Sequence, residues 1–250
     1  MPDQLYVYGV VRAAGDPLDL PAGVAGGKPF LHAHGDIAAI VGNVEPGARL
    51  GRASDAKAHE QVLRAALDGR DVVLPVRFGS VYPDAGALET ALLAPSAAQL
   101  EALLDEFDGT VELELRALYP DQEAILRELV RSDPGLARRR ERARQSGGYH
   151  AQIELGEATL AAFEQRRAAD QAHLRERLAP LARDVRERSE LPERVAAQFA
   201  FLVERARTAE FEQAAERLAE DVHDRLTLRL VGPLPPYSFV AFELEPAEAR

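Results

Sequence analysis

The sequence contains no cysteine, which excludes disulfide staples and thiolate chemistry and leaves nothing that points to an oxidising compartment. It has no excess of positive charge either. With 41 acidic residues against 30 basic ones the net charge is -11, a balance that repels phosphate backbones and argues against nucleic acid as a partner. Long apolar runs are missing: none approaches the roughly 20 residues that span a bilayer. The N-terminal MPDQLYVYGVV has no basic region ahead of its apolar run and no small-residue cleavage site, so it reads as a first strand and not as a signal peptide. The expectation is a soluble, cytoplasmic protein without membrane contact. No Ser/His/Asp constellation and no carboxylate pair at a diagnostic spacing is present, so no cofactor and no catalysis are expected.

What the chain does have is a succession of strand and helix signals. The stretch Leu226 to Leu244, LTLRLVGPLPPYSFVAFEL, alternates Leu226, Leu228 and Leu230 with Thr227 and Arg229, the period-2 pattern of a half-buried strand. A second apolar run follows from Tyr237. Between them Gly232, Pro233, Pro235 and Pro236 predict a stiff corner, hence a hairpin-like terminal strand pair. Upstream, strands are expected at Leu5 to Arg12, Phe30 to His34 and Ile37 to Val44, and a helix from Ser54 to Asp68 with Val62, Leu63, Ala66 and Leu67 on one stripe. Asp71 to Asp84, DVVLPVRFGSVYPD, reads as an apolar strand that Pro75 confines to an edge or a bulge. Short helices to Leu93 and Phe107 follow, then a strand at Val111, Leu113 and Leu115.

A domain boundary is expected near Gly109, dividing residues 1–109, a mixed α+β domain, from 110–250. After its opening strand the second part is expected to run through a long helical region. From His150 to about Arg188 one apolar face is predicted from Ile153, Leu160, Leu174 and Leu181, with Phe163, Leu178 and Val185 beside them and Arg167 and Asp170 interrupting it. A strand at Val195 to Val203, a helix at Thr208 to Val222 and the terminal strands complete an order close to a ferredoxin-like α+β sandwich, modified by a long helical insertion.

Several small motifs invite a chemical reading. Gly23 to Lys28, GVAGGK, is a fragment of a phosphate loop, but Pro29 stands where a magnesium-binding hydroxyl is required. His59 and Glu60 begin a metalloprotease helix, yet position 63 is Leu, so the two-histidine face does not form. His32 and His34 share a strand face with no third ligand in view. Arg138, Arg139, Arg140, Arg142 and Arg144 form a basic run, read first as a solvated helix face and second as a site for an acidic partner. Arg77, inside an apolar strand, has to reach water or find a carboxylate. If acceptors hold it, Arg77→Met should cost about 1–3 kcal/mol.

Several segments in order resemble one family. LYVYGVV at Leu5 to Val11, VLPVRFGSVYPD at Val73 to Asp84, VELELRALYPD at Val111 to Asp121, IELGE at Ile153 to Glu157, AFLVER at Ala200 to Arg205 and GPLPPYSFV at Gly232 to Val240 are similar to the gas vesicle protein F/L family. The resemblance implies an accessory or minor structural protein of the gas vesicle, not an enzyme, with a two-domain α+β fold and a ferredoxin-like C-terminal part. It implies association with the hydrophobic shell-forming subunit (GvpA-like) during assembly, and localisation to the cytoplasm and the gas vesicle. The alternatives are a scaffold that binds mainly other gas vesicle accessory proteins and, more distantly, a small-ligand enzyme using Arg77 or the Gly-rich loop. The N-terminal domain carries the expected binding surface, because Pro75 suggests a sheet edge open to strand addition. The candidate contact residues are Val73, Leu74, Pro75, Val76, Arg77 and Phe78.

Overall fold

The computed structural model describes residues 4–192 and 194–240, residue 122 by its backbone alone. The first sheet contains β1 (Gln4–Arg12), β2 (Phe30–His34), β3 (Ile37–Val44), β4 (Leu74–Pro75) and β5 (Val81–Tyr82). Its order is β2-β3-β1-β4, with β5 also paired to β1, and every pairing is antiparallel. Residues 5–11 of β1 are buried without interruption, the pattern of a central strand covered on both faces. Helix α1 (Ala53–Asp68) packs against β1, with His59, Val62, Leu63, Ala66 and Leu67 buried. Helix α2 (Ala85–Leu88) leads through a π-helical turn, Glu89–Leu93, into α3 (Ala94–Glu106), which packs on β1, β3 and β4. The register of β1 against β3 shifts between Val7 and Gly9, so Tyr8 is the extra residue of a bulge. Gly9 beside it leaves no room for a side chain: an added Cβ would sit 2.7 Å from the Leu74 carbonyl oxygen and 2.8 Å from Leu63 Cδ2.

The second sheet has the order β7-β8-β6-β9, formed by β6 (Thr110–Leu118), β7 (Asp184–Glu187), β8 (Val195–Glu204) and β9 (Thr227–Leu234). Between β6 and β7 lie α4 (Gln122–Ser132), α5 (Pro134–Ser146) and α6 (Tyr149–Leu178), and between β8 and β9 lies α7 (Thr208–Val222). Strand, helices, strand, strand, helix, strand is the ferredoxin-like order, with α4 and α5 as its insertion. The fold is therefore mixed α+β, with an antiparallel first sheet and a second sheet of four strands.

The chain forms two compact units: the described residues of Met1–Leu113, Leu202–Ala206 and Gly232–Arg250, and Glu114–Phe201 with Arg207–Val231. Neither is contiguous. Within the first, the Arg205 Nη2 donates to the carbonyl of Leu67, in the last turn of α1, and to that of Arg70 just beyond it, both at 3.0 Å. Carbonyls of a last helical turn lack intrahelical donors, and a guanidinium supplies one to Leu67.

Three sequence expectations are corrected. The apolar run from Val73 is not one strand but two dipeptide strands separated by an arch. The helical stretch ends at Leu178, with Pro180 in the turn that follows, because proline cannot continue the hydrogen-bond ladder; Val185 belongs to β7. Its apolar stripe also divides, for Phe163, Leu174 and Leu178 are buried whereas Ile153 is 38% and Leu160 62% exposed. Finally, β9 runs through the Gly232–Pro233 corner to Leu234, and residues 237–239 form a turn. The rest of the expected last strand, 241–244, lies outside the described residues.

Candidate interaction site

The edge of the first sheet carries an arch. Val76 N–H donates to the Tyr8 carbonyl and Val7 N–H to the Ser80 carbonyl, each at 2.9 Å, so residues 76–80 leave the ladder and return to it. Gly79 adopts φ +91°, a conformation that costs a residue with a Cβ. The turn is closed by Ser80, whose Oγ donates to the Arg77 carbonyl at 2.8 Å. At its tip stand Arg77, exposed, and Phe78, 38% exposed.

A buried aromatic box supports the tip from beneath. Phe78 meets the His59 ring edge-on at 5.6 Å and Tyr6 at 6.3 Å, while Tyr8 stacks on His59 at 5.6 Å. The Tyr6 hydroxyl accepts from Gly79 N–H at 3.1 Å and lies 2.9 Å from His59 Nδ1. The ring is held at Nδ1, while Nε2 is buried with no hydrogen-bond partner among the described residues. Burial keeps the imidazole neutral: it lowers the His59 pKa to about 4 and raises those of Tyr6 and Tyr8, since a charged ring or phenolate here would lose its water.

The six predicted contact residues therefore divide. Val73, Leu74 and Val76 are core residues, Pro75 is half-buried in the edge strand, and Arg77 and Phe78 face solvent. Arg77 is not held by buried acceptors; its backbone carbonyl is bound, its guanidinium is exposed. The other motifs resolve into structure. Tyr8 Oη accepts from Val24 N–H at 2.8 Å, and a Cβ at Gly23 would collide with that oxygen, so the Gly-rich loop closes over a tyrosine. His32 Nε2 lies 3.2 Å from Glu89 Oε2, and His34 Nδ1 bonds Oε1. That pairing, His34 first and His32 second, holds the Glu89 carboxyl below its usual range. Among the described residues no group of three His, Cys, Asp or Glu side chains is suited to a metal. The arginines of α5 are all exposed.

Residues 4–241 match the family model for gas vesicle synthesis protein GvpL/GvpF. The chain belongs to that family. It is 37% identical over 240 residues to gas vesicle protein F of Streptomyces sp. (strain CB03234), covering 94% of this chain and 98% of that one. Against gas vesicle protein F of Haloferax mediterranei the identity is 23% over 253 residues, 100% of this chain and 99% of the relative. The crystal structure of GvpF from Anabaena sp. PCC7120 superposes with a TM-score of 0.84 at 24% identity, over 96% of this chain and 99% of that one. That of GvpF from Microcystis aeruginosa gives 0.81 at 22% identity, over 94% and 98%. The two structures share the fold.

The GvpL/GvpF resemblance rests on segments that now have physical roles. In GPLPPYSFV, the Ser238 N–H and Oγ–H donate to the two oxygens of Glu112 at 2.7 and 2.8 Å. Glu112 is 3% exposed, and a buried carboxylate needs such donors. Gly232 passes so close to β6 that a Cβ would collide with Leu113 Cδ2. Sequence reading missed Glu112 because, in a strand of alternating Val, Leu and Glu, it looks like one more solvated position. Its partner is 126 residues away, and no local signal joins them.

Proposed function

We propose that this member of the GvpL/GvpF family is a noncatalytic assembly factor that binds the small, hydrophobic shell-forming subunit, in the cytoplasm and at the growing gas vesicle. The observation that carries the reading is the arch: an exposed phenylalanine and an exposed arginine on a sheet edge, braced by a fully buried aromatic box. A shell subunit with an apolar, gas-facing surface aggregates unless that surface or its strand edges are covered. Phe78 offers an apolar anchor and Arg77 a cationic neighbour, the residue types that dominate interface energetics. The net charge of -11 then keeps the complex dispersed by repulsion. Val73, Leu74 and Val76 set the position of the arch from within the core, and Pro75, Arg77 and Phe78 make the contact.

The test is co-purification of the full-length protein with the shell subunit, at low and high salt, for the wild type and for Phe78→Ser. The expected result is salt-resistant capture by the wild type and its loss in the variant, because apolar contacts are screened far less than surface charges. Undiminished capture by Phe78→Ser would refute the reading. A second reading, a scaffold for other accessory proteins, is favoured by the exposed stripe of α6, where Tyr149 is 80%, Ile153 38% and Leu160 62% exposed. It predicts that serine at those three positions removes accessory proteins and leaves shell-subunit capture intact.

A further inference from the structure

The second unit contains a cleft of about 510 Å³, within the range of roughly 300–1,000 Å³ typical of ligand sites. It lies on strands β6, β8 and β9, and three of its lining residues are arginines: Arg116 on β6, Arg194 just before β8 and Arg229 on β9. Leu118, Pro120 and Val195 provide apolar walls, and no carboxylate lines the cleft among the described residues. All three arginines are exposed at its rim. Several other arginines of the same unit stand against acids: Arg166 on Glu128 at 2.5 Å, Arg207 on Glu210 at 2.9 Å, Arg177 on Asp221 at 3.4 Å. In the cleft, Arg194 donates only to the Pro120 carbonyl at 3.5 Å, and Arg116 and Arg229 have no ion pair or hydrogen bond among the described residues. Three like charges on one face repel each other unless an anion joins them.

We propose that this cleft binds an acidic peptide segment of a partner protein. Guanidinium groups match carboxylates in two-point geometry, so Arg116 and Arg229 each take one acidic side chain and Arg194 closes the mouth. The apolar walls take the residue between two acidic ones. Among the described residues strand β9 ends its sheet, and its backbone is one along which an extended segment can run. The basic run on α5 supplies charge on a single helix face but no walls, which makes it the weaker site.

Fluorescence anisotropy with a fluorescein-labelled pentapeptide of alternating glutamate and leucine tests this on the full-length protein. The expected result is binding that weakens about tenfold or more for the Arg116→Gln/Arg229→Gln variant and for the glutamine–leucine peptide. An Arg138→Gln/Arg139→Gln/Arg140→Gln variant on α5 should bind as the wild type does. Thermal unfolding establishes that each variant is folded. Equal affinity of the wild type and the β6/β9 variant, or loss of binding only in the α5 variant, would overturn the proposal. Full displacement by millimolar inorganic phosphate, with serine replacing leucine at no loss, would overturn the peptide as ligand.

Discussion

Each unit of this protein buries a tyrosine hydroxyl against a polar group on a long helix, and the two solutions differ in charge. In the first, Tyr6 meets a neutral His59 and no counter-ion is present. In the second, Tyr119 donates to Asp170 at 2.8 Å, and Asp170, 2% exposed, also takes Arg225 Nε at 2.9 Å. The neutral network needs no compensating charge but depends on the imidazole staying unprotonated. The ionic network is indifferent to that and depends on every partner being present. The comparison teaches where each unit is vulnerable: the first to acid, the second to the removal of one side chain.

The largest expected effect is on the ionic network. Asp170→Asn leaves Arg225 without its counter-charge and should destabilise the second unit by about 3 kcal/mol, the low end of the range for a broken buried pair, because the Arg225 side chain keeps 29% exposure. Urea unfolding at neutral pH measures it, and a change below about 1 kcal/mol would mean that water already reaches the pair.

The neutral network predicts a pH effect. The His59 pKa falls from 6.5 in the open chain to about 4 in the fold, so the unfolded chain binds more protons in that window and stability rises with pH. The contribution is complete above pH 6.5 and is lost as pH falls towards 4; at pH 5 the loss is about 2 kcal/mol. Other carboxylates titrate in the same range, so the measurement is the difference between wild type and His59→Phe in unfolding at pH 7 and pH 5. Parallel profiles would remove His59 as the cause.

Smaller effects follow. Ser238→Ala deletes the hydroxyl donor to buried Glu112 while keeping the backbone N–H, and should lower stability by about 1 kcal/mol. Arg77→Met, which a buried acceptor network would make costly, should change stability by less than about 0.5 kcal/mol, as an exposed substitution does. A loss above about 1 kcal/mol in the melting transition would show Arg77 holding acceptors and take it out of the interaction surface.

Much of the fold was legible along the chain because its signals are local. The alternation of Leu226, Leu228 and Leu230 with Thr227 and Arg229 and the stripe of α1 each depend on neighbours within a few residues. The arch was not legible. Val73 to Tyr82 reads as a continuous apolar strand, and only pairing with β1 shows that five residues at 76–80 oppose two on a bulged partner. Likewise Ile153 and Leu160 share a period with Leu174, but periodicity reports a face and not whether another element covers it.

Sequence by itself determined the composition limits, the longer strands and helices and the family, since charge balance, absence of cysteine and ordered motif segments are properties of the chain. It also limited Pro75 to an edge or a bulge, because a residue without an N–H cannot sit in the middle of a ladder. Tertiary structure alone decided that His59 is neutral, that Glu112 is a clasp and not a solvated strand residue, that Phe78 is outside while Val76 is inside, and that three arginines from separate segments share one cleft. The physical reason is common to all four: burial and hydrogen-bond partnership depend on which separate segments meet, as with Tyr6 and His59, 53 residues apart, and Glu112 and Ser238, 126 apart.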